Sequence, residues 1–246
     1  MPDMHFKVYC QNIENTGTQA KSGNLVVYHG LTDSFKHRIH VFIEFLSENE
    51  KSRAERFIHK SDYNCYVSVH ALLRIELSKY LGTKAKSIVI REYENGKPYI
   101  PETDLPFSLS RTRNMFAFVV GQSMHFLGID IEQIKPDIDF INISRNYFSV
   151  KEQQLILSFK NVADQKRAFF EIWTRKEALL KAIGIGINEE ISKFEVLEGE
   201  NILEIEEVQV HEHFMITSVM KKDALISVAS SADFVPVFKN LSFIPS

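Results

Sequence analysis

Two short segments of this chain combine groups that hold metal ions with groups that steady phosphate. In Gly128-Ile129-Asp130-Ile131-Glu132 the carboxylates alternate with isoleucines, and an extended strand turns every second side chain to the same face. Asp130 and Glu132 therefore point together on a strand. In Trp173-Thr174-Arg175-Lys176-Glu177-Ala178-Leu179-Leu180-Lys181 the apolar residues recur at helical spacing, and Trp173, Glu177 and Lys181 stand four apart along one stripe. A helix packed on that strand brings three carboxylates and an ammonium to one place. Magnesium takes oxygen ligands and keeps waters and substrate phosphate oxygens, so Asp130, Glu132 and Glu177 supply enough protein ligation. Lys181, one turn beyond Glu177, can pair with a phosphate oxygen and offset charge on a leaving group, which suits phosphoryl transfer. Each segment alone also reads more plainly, as a strand end and as a surface helix with an ordinary Glu177–Lys181 pair.

The elements that must position these residues follow from pattern. A strand is expected over 126–132. Strand candidates at 107–110 and 115–120 precede it, and Gly121-Gln122-Ser123 would make it one arm of a hairpin. The helix carrying Glu177 should cover about 164–183, stopped by Gly184-Ile185-Gly186. Pro136 and the aspartates after it read as a loop, and Ser149 with Glu152 forms a capping box that opens another helix. Upstream, a short strand lies at 25–28. A helix could begin near Phe35 and end near Ser47-Glu48-Asn49-Glu50, and Tyr66, Val69, His70, Leu73, Leu77 and Leu81 mark an amphipathic helix over 62–81 stopped by Gly82. Residues 87–93 look like a strand, Asn95-Gly96 is a turn signal, and the prolines keep Lys97–Pro101 to a loop or edge. Further strands are expected at 203–211, 213–220 and 224–230. Each half runs roughly helix, then strands. The expected fold is α+β, a pseudo-dimer of two similar halves in one chain, each a small mostly antiparallel sheet packed with helices, with halves 1–122 and 123–246.

The 246 residues can bury a substantial core, and 44% hydrophobic with 25% charged residues is ordinary for a globular protein. A net charge of −3 offers no general attraction for nucleic acid or anionic lipid, so phosphate binding must be local. Cys10 and Cys65, with no CxxC, read as reduced thiols of a cytoplasmic protein. Met1–Ala20 lacks the apolar stretch of a secretory signal, and no apolar run approaches the roughly 20 residues needed to span a bilayer.

Taken together, the two segments resemble those of the 4′-phosphopantetheinyl transferase superfamily, in its large, surfactin-synthetase-activating type. The family's GIDIE-like strand stands here as Leu127–Glu132. Its tryptophan-to-lysine helix is Trp173–Lys181, followed by Gly184 and Gly186. The likeness extends upstream to Arg53–Phe57, Ala71–Arg74, the GKP loop of Asn95–Tyr99 and the strand Pro106–Ser110. It covers about residues 46 to 187.

The resemblance implies transfer of 4′-phosphopantetheine from coenzyme A to a serine of an acyl or peptidyl carrier protein, with no role for nucleic acid or membrane, in a monomer. By the same likeness, Asp130, Glu132 and Glu177 hold Mg²⁺ on the coenzyme A diphosphate. Lys181 neutralises the departing phosphate, and Glu177 doubles as base for the serine. Arg53, Gly96, Lys97, Pro98, Ser110 and Arg111 match coenzyme A-binding positions. The first half thus contributes to coenzyme A binding, and the second carries the metal and the catalytic helix. Arg111 departs from the family, which usually has histidine there; a guanidinium can fork onto a phosphate but cannot do acid or base work. Cys65 is a second departure, where a basic residue would be unsurprising. Phe140, Arg145, Tyr147, Phe148 and Lys151 could offer a carrier protein an apolar patch flanked by cations, or be a solvated loop with aromatics in the core. Two other readings stand beside this one: another magnesium-dependent phosphate-handling enzyme, and a non-catalytic homologue that binds coenzyme A or carrier protein. His70 reads as a packed core residue and Phe116, Phe118 and Phe126 as core, while His211 and His213 lack a third metal ligand.

Overall fold

Alternation of side chains builds a molecule of four layers. The computed structural model describes residues 25–122, 124–186, 191–192, 195–196, 199–205, 210–231 and 236–242; Cys10, Met1–Ala20 and part of the strand expected at 203–211 lie outside these. The elements run β1 (Val26–Leu31), α1 (Ile39–Phe42), α2 (Glu48–Ala54), α3 (Lys60–Leu81), β2 (Arg91–Glu92), β3 (Pro98–Tyr99), β4 (Phe107–Thr112) and β5 (Met115–Val120). They continue with β6 (Leu127–Gln133), α4 (Phe140–Tyr147), α5 (Val150–Ser158), α6 (Val162–Ile183), β7 (Gly199–Ile205), β8 (Val210–Lys221), β9 (Ala224–Ser230) and β10 (Val237–Asn240). The expected α+β class holds.

One sheet has the order β10-β1-β5-β4 and the other β6-β9-β8-β7; β1 pairs parallel with β10, and the remaining pairs are antiparallel. Residues of odd number on β5 and β6, Met115, Ala117, Val119 and Leu127, Ile129, Ile131, meet between the sheets. The alternate residues of the first sheet, Phe116, Phe118 and Val120, turn to the layer holding α3. On the second sheet Phe214, Ile216, Leu225 and Ala229 turn to α6. Full burial of each Val, Leu, Ile, Phe or Met among them stabilises the fold by about 1.5–3 kcal/mol.

This arrangement corrects the expected hairpin. β5 pairs with β1 and β4, while β6 pairs with β9, so the two consecutive strands lie in different sheets and stack face to face. Short separation favours proximity, but β5 is apolar on both faces and β6 at alternate residues, so stacking the two strands face to face buries both. The expected helix over 35–46 is broken into 3₁₀ turns at Thr32–Arg38 and Ile43–Phe45 around the four residues of α1. Ser47–Glu50 does not end it but opens α2 with a capping box. Of the strand expected at 87–93 only Arg91–Glu92 pairs, after a 3₁₀ turn at Ala85–Ser87, and the loop after Pro136 contains α4, capped by Asp139.

The two halves repeat one plan. Ser47 and Ser149 head capping boxes closed by Glu50 and Glu152, and α3 and α6, each 22 residues long, stop at left-handed Gly82 and Gly184. Positions 47 and 149, 50 and 152, 82 and 184 are all 102 apart, and β1 and β6 stand in the same relation. The repeat is not a clean division at residue 122, because β10 of the second half completes the first half's sheet. Among the described residues no helix is long and apolar enough to cross a membrane.

Candidate functional site

Gly128 decides how closely the helix of the site can approach its strand. A Cβ there would stand 2.0 Å from the Ala178 carbonyl oxygen and 2.4 Å from the Ala182 nitrogen, so α6 lies backbone-on-backbone against β6 only because residue 128 has no side chain. Two residues on, on the same face, Asp130 is buried and accepts a hydrogen bond from Lys181 Nζ at 2.6 Å through Oδ1. The edge strand β4 completes this nest with alternate hydroxyls. Ser108 Oγ accepts from the Ile129 amide at 3.3 Å, Ser110 Oγ donates to Asp130 Oδ1 at 2.8 Å, and Thr112 Oγ1 donates to Glu132 Oε2 at 3.4 Å. Lys181 Nζ also donates to Ser110 at 3.0 Å, and Lys135 stands 3.4 Å from Glu132.

The carboxylates feel one another. Burial, then the Asp130 charge and that of Glu132, pushes Glu177 up to about 7 against the opposing pull of Lys181. Glu132 is likewise raised, by burial first and then by Asp130. Like charges crowded in a low-dielectric site disfavour ionisation until a cation joins them. Asp130 Oδ2 is buried without a hydrogen-bond partner, an orphan of the kind that a cation satisfies. Among the described residues no three acidic, histidine or cysteine side chains already surround a common point. The hard oxygen donors and the orphaned Oδ2 nevertheless fit a divalent ion, with Asp130, Glu132 and Glu177 as the groups available to hold it.

A cleft of about 1080 Å³ runs from this nest to the first half, lined by Glu177, Lys181 and Gly184 on one wall and by Arg53, Tyr66, Gly96 and Arg111 on the other. Of the expected nucleotide-binding residues, Arg53, Gly96, Lys97, Pro98 and Arg111 line it. Arg53 pairs with Glu92 at 3.2 Å, and the Arg111 guanidinium lies 5.6 Å from the Phe57 ring centre. Ser110 is buried and turned to Asp130 instead. Three cations that sequence reasoning had not placed here also line the cleft: Lys86, Arg91 and Arg74. His70, expected in the core, lines it too; it stacks on Tyr66 with centroids 4.0 Å apart and meets Glu50 at 3.3 Å. The walls are thus basic although the chain is acidic overall.

Each half carries a buried ion pair, that of the first half at the cleft lining itself. Arg74 donates through Nε to Glu50 at 2.6 Å and through Nη1 to the Ala85 and Ile88 carbonyls. Lys176 meets Glu152 at 2.9 Å and donates to the Ile191 carbonyl at 2.8 Å. In both halves the glutamate is the capping-box residue, and 74 and 176 are again 102 apart. Lys176 therefore ties α6 to α5 next to Glu177, and its lone spacing in the sequence gives no sign of this. Of the surface patch expected near α4, Phe140 and Phe148 are core residues. Val150, Leu155 and Leu157 of α5 stay exposed.

A family described as the 4′-phosphopantetheinyl transferase superfamily matches residues 126–229, and one described as 4′-phosphopantetheinyl transferase, N-terminal, matches 33–128. The chain is 33% identical over 146 residues to 4′-phosphopantetheinyl transferase HetI of Nostoc sp., covering 58% of this chain and 61% of that protein. It is 30% identical over 169 residues to a 4′-phosphopantetheinyl transferase of Bacillus subtilis, covering 68% and 73%. To 4′-phosphopantetheinyl transferase Sfp of Bacillus subtilis strain 168 it is 28% identical over 156 residues, covering 63% and 67%. The matched part thus spans between three fifths and three quarters of these relatives.

Proposed function

Because the chain belongs to the 4′-phosphopantetheinyl transferase superfamily, we propose that it transfers the 4′-phosphopantetheine moiety of coenzyme A to a serine of an acyl or peptidyl carrier protein. The serine oxygen bonds to the phosphorus next to pantetheine, the bond from that phosphorus to the bridging oxygen breaks, and adenosine 3′,5′-bisphosphate leaves. Asp130, Glu132 and Glu177 would hold Mg²⁺, which when bound neutralises and polarises the diphosphate.

The remaining work falls to the chain's own groups. Glu177, at the acidic end of the cleft beside Lys181, is the group to which this reading gives the serine proton. Lys181 already donates to Asp130 and Ser110 at the mouth of the cleft, so its ammonium can turn to the departing phosphate as charge builds there. Ser110 and Thr112 fix Asp130 and Glu132 from the neighbouring sheet. Arg53, Arg111, Lys86 and Arg91 line the cleft with charge suited to the 3′-phosphate, and Gly96 and Pro98 offer backbone to the adenine. Residues 1–122 would thus supply the nucleotide wall and 123–246 the acidic nest. One chain lines both walls, which suits action as a monomer. The exposed apolar residues of α5, beside Lys151, suit the acidic helix of a carrier protein.

The observation that carries this reading is the joining of Asp130 Oδ2, buried and unpartnered, with Glu177 and Lys181 at one end of a basic cleft. Incubation with coenzyme A, Mg²⁺ and an apo carrier protein should raise the carrier's intact mass by one phosphopantetheine, and chelation of the metal should stop it. Failure across fatty-acid, polyketide and peptide carriers sinks the reading.

A further inference from the structure

The side chain of Lys97 leaves the nucleotide wall on which it was expected to act. Its ammonium donates to the backbone carbonyl of Ala182, across the cleft on α6. The last four carbonyls of a helix have no partner within it, and a cation at that end also complements the helix dipole. In α6 the Leu180 carbonyl accepts from the amides of Gly184 and Ile185, and the Ala182 carbonyl is met by Lys97. Burial lowers the Lys97 ammonium to about 8, as befits a group enclosed between two elements.

A second contact joins the same two places. A Cβ on Gly184 would stand 2.7 Å from Asn95 Nδ2 and 3.5 Å from Lys97 Cδ, so the turn between β2 and β3 is seated on the helix end where the glycine leaves room. Asn95 in turn accepts from the Lys97 amide at 2.9 Å and shapes that turn. On its other side Ala182 presses its backbone to Gly128, and its neighbour Lys181 bonds Asp130. An unbroken run of contacts therefore leads from the turn to the acidic nest.

We propose that Lys97 is a positioning residue that clips the C-terminal turn of α6 to the β2–β3 turn, so that the segment lying against the nucleotide also sets the placement of Lys181 and Glu177. This rests on the phosphopantetheinyl transfer reading, and it assigns the Lys97 side chain to the helix rather than to a phosphate. The two roles separate kinetically. A phosphate ligand supports binding of the substrate that carries that phosphate, whereas a clip supports the chemical step with any bound substrate.

The full-length protein with Lys97→Met, which keeps the stem and loses the donor, and with Lys97→Arg, which keeps a donor, is assayed with coenzyme A and with 3′-dephospho-coenzyme A. The clip predicts that Lys97→Met lowers kcat about tenfold or more with both substrates, with a smaller change in KM, and that Lys97→Arg recovers most of the loss. Hydrogen exchange at the Gly184 and Ile185 amides, which needs no turnover, should quicken about tenfold in Lys97→Met with the rest of α6 unchanged. A KM rise larger than the kcat loss, confined to coenzyme A, overturns the proposal in favour of a phosphate contact, and so does unaltered exchange at those amides. An inactive wild-type protein would count against the transfer reading alone, since the exchange measurement still decides the clip.

Discussion

The two halves of the molecule share their scaffold and differ in what they place on it. Both use a capping-box glutamate to hold a buried cation of a 22-residue helix, Glu50 with Arg74 and Glu152 with Lys176. At the same 102-residue displacement the chemistry diverges. Asp130, Glu132 and Glu177 correspond to Tyr28, Gly30 and Ile75, and Lys181 corresponds to Lys79, which pairs with Glu76 on its own helix at 2.6 Å. Gly128 corresponds to Val26. α6 lies along β6 throughout, while α3 packs on β5 and the short helical turns before it. The framework tolerates either an apolar or an acidic filling, and only the half whose helix comes close to its strand holds the acids.

The sharpest test of that contrast is to remove one acid and its counterpart. Asp130→Ala should lower kcat/KM by about a thousandfold or more, whereas Tyr28→Phe should leave it within about twofold. A silent Asp130→Ala would leave the two halves without a chemical difference. The shared struts come next. Arg74→Met and Lys176→Met each strand a buried carboxylate and should each cost about 3–5 kcal/mol in denaturant unfolding, and a cost confined to one half would show that the repeat is one of shape only.

Acid resolves the first strut by itself. Burial raises Glu50, but the His70 hydrogen bond, the Arg74 charge and the Ser47 amide outweigh it and hold the carboxyl at about 2, against 4.5 ordinarily. A carboxyl held down in the fold contributes stability above its unfolded pKa and loses it as pH falls, here through the window from 4.5 to about 2, by about 3 kcal/mol at most. Unfolding measured across that window should lose this slope in Glu50→Gln. The smallest effect is expected from Val26→Ala, which should leave activity intact, whereas its counterpart Gly128→Ala sets a methyl against the backbone of α6 and should cost at least about 1–3 kcal/mol and lower activity.

Much of this was legible in local pattern. The alternation in Gly128–Glu132, the helix of Trp173–Lys181 with its stop at Gly184, and the Ser149–Glu152 capping box all reappear as written. The same capping grammar at Ser47–Glu50 is masked by the mixed apolar run before it, which reads as a helix still in progress. Other features were illegible in principle. Strand pairing of β6 with β9 joins residues far apart in sequence, and no local pattern distinguishes that from a hairpin with β5. Lys176 reads like any surface lysine of a charged helix until its glutamate, on another helix, is found beneath it. The basic lining from Lys86 and Arg91 is a property of how the 3₁₀ turn and β2 sit over the cleft, not of their spacing.

The parallel seam between β1 and β10 gives the molecule an order of assembly. Val26–His29 waits for Val237–Asn240, so as the polypeptide emerges from the ribosome the first sheet stays one strand short until the second has been synthesised. Contacts between such distant segments form late. Two halves that look separable are thus fastened by the final stitch, and cutting the gene at their apparent border would leave the opening sheet with a bare edge.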